Sequence, residues 1–372
     1  MRSFLFLFLL PVLLILASCT DSISNVGLDL LGDEANPQVE TIHSTSFSTS
    51  DLVDITGASP RILVGSVNDP LTGQISTNGF LDFAGTFAGT PSESITSAQL
   101  KLSRNYNYGD TTKTVEFSLH QILQEWNHID LRSDTDLTIG PQILTVTTLD
   151  TLTTIDLPAS WISENENDLR SAEFNSKFHG FALIQINSGQ VIGFNAALSE
   201  FELTSASGVT EYSVISTYTQ IKRMSPSTPP DGLLLFQDGA GPAIELNFDL
   251  NKYKNSPINN ITLSFSADQL ASQDTPENFL RPFPQILQLV AVPADATMPA
   301  SLVGQAAMDK DGEYHFSDIE ATIFFQRVLF GSQQYDRLEL RSPVENNSLN
   351  AVLFHGMDAR DLSPRATIIL SP

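Results

Sequence analysis

The chain contains one cysteine, Cys19, among its 372 residues. A single thiol cannot form a disulfide within the chain, and no other cysteine follows it. Disulfides, thiolate-ligated metal sites and cysteine nucleophiles are therefore excluded from the rest of the sequence. A chain of this length can bury one full core, or two, without covalent cross-links.

Basic residues are also scarce. The 19 Lys and Arg face 43 Asp and Glu, which gives a net charge of −24 and a pI near 4.4. Nucleic-acid binding needs a basic surface, and so does electrostatic attachment to an anionic membrane. We therefore expect no nucleic-acid partner, and an acidic surface compatible with cations or neutral ligands.

The sequence has no long hydrophobic run beyond its N-terminus. The apolar run from Phe4 to Leu16 follows Arg2 and precedes the small residues Ala17 and Ser18. A membrane-spanning helix needs about 20 apolar residues, so this run is too short for a comfortable span. The order of charged, apolar and small residues is typical of a secretory signal, which we assign to residues 1–18.

Residues 16–19, LASC, resemble the lipobox of bacterial lipoproteins. The resemblance implies cleavage before Cys19, lipidation of its sulfur and acylation of the new N-terminus, for example with palmitate. Two acyl chains already anchor a protein stably in a membrane. We therefore expect a lipid-anchored protein of the bacterial cell envelope, most naturally the outer membrane, on either its periplasmic or its surface face. Residues 19–55 are polar and acidic, and are predicted to be a flexible lipidated tether and entry segment.

Short runs of alternating apolar and polar residues dominate the rest of the chain, and Gly, Pro, Asn and Asp separate them. Such alternation is typical of antiparallel strands with one buried face, so the fold class is predicted to be all-β. The clearest runs are AQLKLSR (98–104), VEFSLHQIL (115–123), FALIQIN (181–187), ITLSFSA (261–267), ILQLVAV (286–292) and RLELRS (337–342).

The runs occur twice in the same order, which indicates a duplication. The corresponding segments are 62–83 with 233–250, 95–103 with 258–266, 180–196 with 336–356, and 212–217 with 365–370. Residues 223–232, which contain three prolines and a glycine, are predicted to be the linker. We therefore expect two tandem jelly-roll-like β-sandwich domains, 56–222 and 233–372.

Each half is also expected to contain one short helix. In the second half, Ser317 or Asp318 is a candidate N-cap, and Gly331 is a candidate stop. The predicted buried face consists of Ile319, Ile323, Phe324, Val328 and Leu329. In the first half, Pro158 stands near a helix start, and Trp161 and Ile162 are expected to plug the end of the sandwich.

The unit of strand, capped helix, glycine and strand resembles the DNRLRE-type β-sandwich modules of secreted bacterial proteins. It is similar also to a group of Bacteroidetes outer-membrane lipoproteins of unknown function. The resemblance implies a binding module, because some DNRLRE-type modules bind carbohydrate. The segments that carry it are 27–34, 62–83, 314–331, 338–342, 349–356 and 363–370.

Catalytic signatures such as HExxH, GxSxG and a P-loop are missing from the sequence. His120 and His128 flank Glu125, but on one straight strand they lie too far apart to share a metal ion. DKDG (309–312) resembles the start of a calcium loop without the remaining ligands, and a hairpin turn is the simpler interpretation. We therefore expect no metal and no cofactor, with a structural calcium ion as the open alternative.

The aromatic residues offer one candidate ligand site. RNYNYGD (104–110) places Tyr106 and Tyr108 on one face of a strand, beside Asn107 and Asp110. Exposed aromatic rings and polar groups are what sugar binding needs, whereas a plain hairpin tip is the alternative.

These observations together predict a non-enzymatic envelope lipoprotein with binding or adhesion modules, whose ligand is a glycan or an envelope protein. The first alternative is a structural or assembly component of an envelope complex, recognisable by an edge strand that pairs with another chain. The second alternative is a glycan hydrolase.

Overall fold

A computed structural model describes residues 37–371, apart from 52–56, 58, 86–89, 188, 240, 296, 345 and 346. The predicted leader, Cys19 and the first part of the predicted tether lie outside the described residues. The described chain is mostly antiparallel β-structure with few short helices, so the prediction of an all-β sandwich fold is confirmed. Within the described residues, no helix is long and apolar enough to cross a lipid bilayer.

The chain forms two sandwiches, which we call the first and the second sandwich. The first contains β3 (Arg61–Asp69), β4 (Gly73–Gly85), β5 (Ile95–Asp110), β6 (Val115–Ile122), β7 (Ile139–Thr148), β8 (Leu152–Asp156), α1 (Ala159–Leu169), α2 (Phe174–Lys177), β9 (Phe181–Asn187), β10 (Gln190–Ser205) and β11 (Gly208–Ser225).

The second sandwich contains β12 (Leu233–Gln237), β13 (Pro242–Asn247), β14 (Ile258–Ser266), α3 (Gln269–Gln273), β16 (Ile286–Val292), β17 (Ser301–Ala307), β18 (Glu313–Phe316), α4 (Ile319–Leu329), β19 (Arg337–Arg341), β20 (Ala351–His355) and β21 (Arg365–Leu370). Its remaining strands are β1 (Gln38–His43) and β2 (Ser46–Asp51), from the N-terminal end of the described chain. Between the two lies β15 (Phe279–Leu280), which pairs with β5 of the first sandwich.

The strands form because alternate residues can be buried on one face. In β5, Ala98, Leu100 and Leu102 are buried, and the residues between them are more exposed. A strand places successive side chains on opposite faces, so this pattern fixes the register of β5 against the core.

One continuous sheet builds the first sandwich. Its strand order is β15-β5-β10-β11-β4-β9-β6-β7, with β3 and β8 joined at the side. Strand β11 pairs first with β10 and then with β4, so it passes from one layer to the other. The aromatic and aliphatic side chains between the layers form the first core.

The two sandwiches pair their strands in the same pattern, which agrees with the predicted duplication. Ile95 of β5 pairs with Ser205, and Ile258 of β14 pairs with Leu370. Four further pairings of the first sandwich have an equivalent in the second. The pairing β6–β9 corresponds to β16–β19, β6–β7 to β16–β17, β5–β8 to β14–β18, and β3–β10 to β12–β20. Strand β21 is therefore the equivalent of the second half of β10, residues 200–205. The predicted correspondence of 365–370 with 212–217 is wrong.

The equivalent of β11 in the second sandwich comes from the N-terminal end of the described chain. In the first sandwich, Gly208 of β11 pairs with Ser205, and Tyr218 pairs with Phe80 of β4. In the second, β1 pairs with β21, where Gln38 faces Leu370, and β2 pairs with β13. Residues 38–51, which we call the closing segment, thus complete the second sandwich, although the whole first sandwich lies between them and β12 in the sequence. The prediction that residues 19–55 lie outside both sandwiches is wrong for this part, because strand pairing over long sequence separation leaves no local signal.

The boundary between the sandwiches also differs from the prediction. Strand β11 continues to Ser225, and β12 begins at Leu233, so the connection is 226–232 rather than 223–232. Its prolines cannot donate ladder hydrogen bonds, which explains why the strand stops before them.

The helices agree with prediction in position but only partly in orientation. Asp318 is the N-cap residue of α4, and Gly331 follows its end with φ of 73°.

The buried face of α4 differs from the prediction. Phe324 and Leu329 are buried, whereas Ile319 and Ile323 are 69% and 44% exposed, so these two are wrongly predicted as core. Ala321 and Phe325 take their places in the core. In the first sandwich Trp161 and Ile162 are buried as predicted. One short helix was expected in each half, so neither α2 in the first sandwich nor α3 in the second was predicted.

Candidate functional site

Tyr106 and Tyr108, the predicted sugar-stacking pair, lie on one face of β5 but are buried. Tyr106 is 8% exposed and Tyr108 is not exposed at all. The Tyr106 hydroxyl accepts a hydrogen bond from the backbone N–H of Leu349 in the second sandwich, at 3.0 Å. The ring of Tyr108 packs edge-on against Phe279, with centroids 6.0 Å apart. The prediction of an exposed aromatic platform here is wrong, because the second sandwich covers this strand.

The same interface contains a buried ion pair. Asp69, in β3, accepts hydrogen bonds from the Arg281 guanidinium, with Nε 2.6 Å from Oδ2, and from the Tyr108 hydroxyl at 2.5 Å. Thr72 bonds the same hydroxyl at 2.6 Å. Burial raises the pKa of Tyr108 well above its usual value, so the phenol stays protonated and donates. The network fixes one sandwich against the other, which is a structural role.

The two polar members of the predicted site have different surroundings. The Asp110 carboxylate accepts hydrogen bonds from the N–H and hydroxyl of Thr112, which lower the pKa of Asp110. The buried Oδ1 atom of Asn107 has no hydrogen-bond partner among the described residues. Tyr106 and Tyr108 thus belong to the interface and Asp110 to a turn, so the four residues do not form the predicted exposed platform.

The histidines and the calcium-like turn are engaged within the fold. His120 bonds the Gly140 carbonyl, and His128 bonds the Ser216 hydroxyl, each at 2.9 Å. Asp309 accepts the N–H groups of Asp311 and Glu313, which closes a turn between β17 and β18. The two strands belong to different sheets, and the isolated bridge between Met308 and Tyr314 joins the two sides of the turn. In the part of the chain that the structure describes, no three His, Cys, Asp or Glu are grouped to hold a metal ion.

A different candidate site appears where the two sandwiches differ. In the first, eleven residues (170–180) connect α1 to β9, and in the second, seven residues (330–336) connect α4 to β19. Phe178 lies three residues before Phe181, where β9 begins to pair with β4. Tyr335 likewise lies three residues before Leu338, where β19 begins to pair with β13, so the two rings are equivalent.

Helix α2 plugs this end of the first sandwich. Phe174 of α2 stacks on Tyr212 with centroids 4.4 Å apart, and Phe178 stacks on Phe201 at 5.5 Å. Both phenylalanines are buried. The second sandwich has no counterpart of α2, since its connection is four residues shorter, and Tyr335 is only half-buried. An open cleft, which we call the Tyr335 cleft, lies beside this ring.

The first lobe of the cleft has a volume of about 460 Å³. It lies between the β16–β17 loop and residues 332–335. Its walls combine apolar groups of Pro293, Met298 and Pro299 with the amides of Gln333 and Gln334.

The second lobe has a volume of about 470 Å³ and is also lined by Tyr335. Its walls are Val328 and Leu329 of α4, the segment 248–254 and Thr45 of the closing segment. Both lobes fall in the volume range of about 300–1,000 Å³ that is usual for ligand pockets.

The charges in the cleft are few and mixed. Asp249 and Asp295 carry carboxylates, and Lys254 carries an ammonium group. Thr297 donates its hydroxyl and N–H to Asp295, which lowers the pKa of this carboxyl and keeps it ionised. Burial raises the pKa of Tyr335 to about 12, so its phenol stays neutral. The cleft is therefore lined by two aromatic side chains, Tyr335 and Phe248, and by several hydrogen-bonding groups, and its few charges are of both signs.

Comparison with known proteins adds no identity. No protein-family model matches the sequence, and no curated protein matches it. A solved structure titled "Structure of infectious bursal disease virus Gt strain" is 10% identical, and the match covers 91% of this chain and 77% of that chain. Its TM-score is 0.14, which is too low to support any argument about fold or function.

Proposed function

We propose that this protein is a non-enzymatic, lipid-anchored cell-envelope protein that binds a glycan in the Tyr335 cleft. The observation that carries the proposal is the difference between the two sandwiches at this end. The residues of α2 plug this end of the first sandwich. At the equivalent place in the second sandwich, Tyr335 packs on Phe324 and Phe325, and an open, half-polar cleft lies beside it.

The chemistry of the lining favours a neutral, hydroxyl-rich ligand. The ring of Tyr335 offers an apolar face, and Gln333 and Gln334 offer both donors and acceptors. The ionised Asp295 offers acceptors only. A sugar presents apolar C–H faces and hydroxyl groups that both donate and accept, so it suits this set better than a charged ligand does.

The lipid anchor is proposed from the sequence around Cys19. Bacteria fed a palmitate analogue should label the wild-type protein, and Cys19→Ser should lose both the label and the membrane association. A Cys19→Ser protein that still carries the label would contradict the proposed site of lipidation.

Glycan binding is tested with the soluble chain from residue 23 onward on a glycan array. We expect binding that is lost in Gln333→Ala/Gln334→Ala and kept in Gln142→Ala, which removes an exposed glutamine on β7 of the first sandwich. Tyr335→Phe should keep the aromatic contact, and Tyr335→Ala should lose it. An array without signal would contradict glycan binding. Binding that is retained by both Gln333→Ala/Gln334→Ala and Tyr335→Ala would contradict the proposed site.

An assembly role is the second candidate, and one observation favours it. The closing segment reaches the second sandwich from a separate part of the chain, and such a strand can come from another molecule. Wild-type protein eluting as a monomer under all conditions would contradict this role.

A further inference from the structure

We propose that the closing segment is exchangeable between copies of this chain, so that the second sandwich of one molecule accepts residues 38–51 of another. This inference is independent of the ligand of the Tyr335 cleft.

The connectivity of the equivalent strands supports it. In the first sandwich, two residues (206 and 207) join β10 to β11 in a tight hairpin, which forces β11 to pair within its own sandwich. In the second, β1 precedes the whole first sandwich in the sequence, whereas its partner β21 lies at the other end of the described residues. The closing segment is therefore tied to its acceptor through the first sandwich alone.

The acceptor provides a complete and specific set of backbone partners. Residues 38–43 pair in register with β21, and residues 46–51 pair in register with β13. Between the two strands, the N–H of Ser44 bonds the Pro364 carbonyl at 2.9 Å, and the N–H of Thr45 bonds the Asn247 carbonyl at 2.7 Å. Extended segments that add to a sheet derive their affinity from such main-chain hydrogen bonds.

Side chains of the segment also find their partners in the second sandwich. Glu40 accepts a hydrogen bond from the Tyr253 hydroxyl at 2.6 Å, and the His43 ring bonds the Ser363 hydroxyl at 2.8 Å. The ring of Phe47 lies 6.3 Å from the ring of Phe265. These contacts make the segment's own sequence the fitting occupant, which identifies the partner as a second copy.

The apolar attachment of the segment is light. Among its described side chains, Phe47 is the one buried apolar residue, Ile42 is partly buried, and Val39 is 63% exposed. The segment can therefore leave one acceptor and enter another while exposing little apolar surface to water. Exchange of an identical element between protomers is a low-cost route to dimers, and it is favoured by concentration.

The exchange is tested with two variants of the soluble chain from residue 23 onward, which lacks Cys19. One carries Thr41→Cys and the other Thr367→Cys; these residues face each other across β1 and β21. The matched control is a mixture of Glu202→Cys and Glu211→Cys, the equivalent pair across the β10–β11 hairpin. Each mixture is unfolded, refolded together at high concentration and oxidised.

We expect several-fold more disulfide-linked heterodimer from the Thr41/Thr367 mixture than from the control. Equal amounts from the two mixtures would overturn the proposal. Unsubstituted protein treated in the same way should contain dimers by light scattering, and a monomer at every refolding concentration would also overturn it.

Discussion

At the scale of single residues, Arg281 and Asp69 hold the two sandwiches together. Their side chains are 1% and 0% exposed, and each comes from a different sandwich. Two charges lose their hydration free energy on burial, and only their mutual attraction and further hydrogen bonds offset this loss. Arg281 also donates to the Ser272 carbonyl, and Asp69 accepts the N–H of Leu71, so the pair is well satisfied.

Removing one member of this pair should destabilise the protein strongly. Arg281→Met leaves the Asp69 carboxylate buried without its cation, and we expect a loss of about 3–5 kcal/mol in the free energy of unfolding. Urea unfolding measures it, with Arg132→Met at an exposed arginine as the control. The double variant Asp69→Asn/Arg281→Met should cost less than the sum of the single changes. A loss no larger than in the control would contradict the buried pair.

Asp82 predicts a dependence of stability on pH. Burial raises its pKa to about 6, well above the value in the unfolded chain. Between about pH 4 and pH 6 the folded protein therefore holds a proton that the unfolded chain has lost, so stability falls as pH rises through this window. Asp82→Asn removes this effect, and we expect it to stabilise the protein at pH 8 by up to about 3 kcal/mol, and hardly at pH 4.

Thermal unfolding at the two pH values measures the difference, and Asp150→Asn at an exposed aspartate is the control. If Asp82→Asn has the same effect at pH 4 and pH 8, the raised pKa is wrong.

Single residues also show the limits of sequence analysis. Trp161 was correctly predicted in the core, because burying a large aromatic ring on the first turn of a helix removes much apolar surface from water. Tyr106 and Tyr108 were predicted at the surface, because nothing in their local sequence indicates that a second sandwich covers them. Tyr335 was missed, since its signal is the shorter connection before β19, which can be recognised only after the two halves are aligned.

At the scale of elements, α4 shows what periodicity can and cannot specify. Its bounds follow from Asp318 and Gly331, which are local signals. Its buried face depends on which side the sheets occupy, and several apolar residues lie on both sides of the helix. The sequence pattern therefore selected Ile319 and Ile323, whereas packing against the sheets buries Ala321 and Phe325.

The orientation of α4 is tested by two substitutions on opposite faces. Phe325→Ala should cost about 3–5 kcal/mol, because Phe325 is fully buried and the change leaves a cavity. Ile323→Ala should cost less than about 1 kcal/mol, since this side chain is 44% exposed. Urea unfolding of both variants gives the comparison. Similar losses for the two would place Ile323 in the core and contradict the helix orientation.

At the scale of the whole molecule, the two sandwiches share one pattern of strand pairing, and residues from the N-terminal side supply the last strand position of the second. The sequence revealed three of the four corresponding segments correctly, because strands in equal register keep equal spacing. The fourth was wrong, because β21 takes the role of residues 200–205 of β10, whereas the closing segment takes the role of β11. Alternation within a strand indicates burial, but it does not say which strand is the neighbour.

The most direct test of this architecture is a circular permutant of the soluble chain. It would begin at residue 57, run to Pro372 and continue directly into residues 38–51. Ser371 and Pro372 would then stand between Leu370 and Gln38, as two residues stand between Ser205 and Gly208.

Urea unfolding would compare the permutant with the parent chain from residue 23 onward and with the truncated chain 57–372. We predict that the permutant keeps most of the parent's stability, and that truncation destabilises the second sandwich. A truncated chain as stable as the parent, or a permutant no more stable than the truncated chain, would contradict the closing role of residues 38–51.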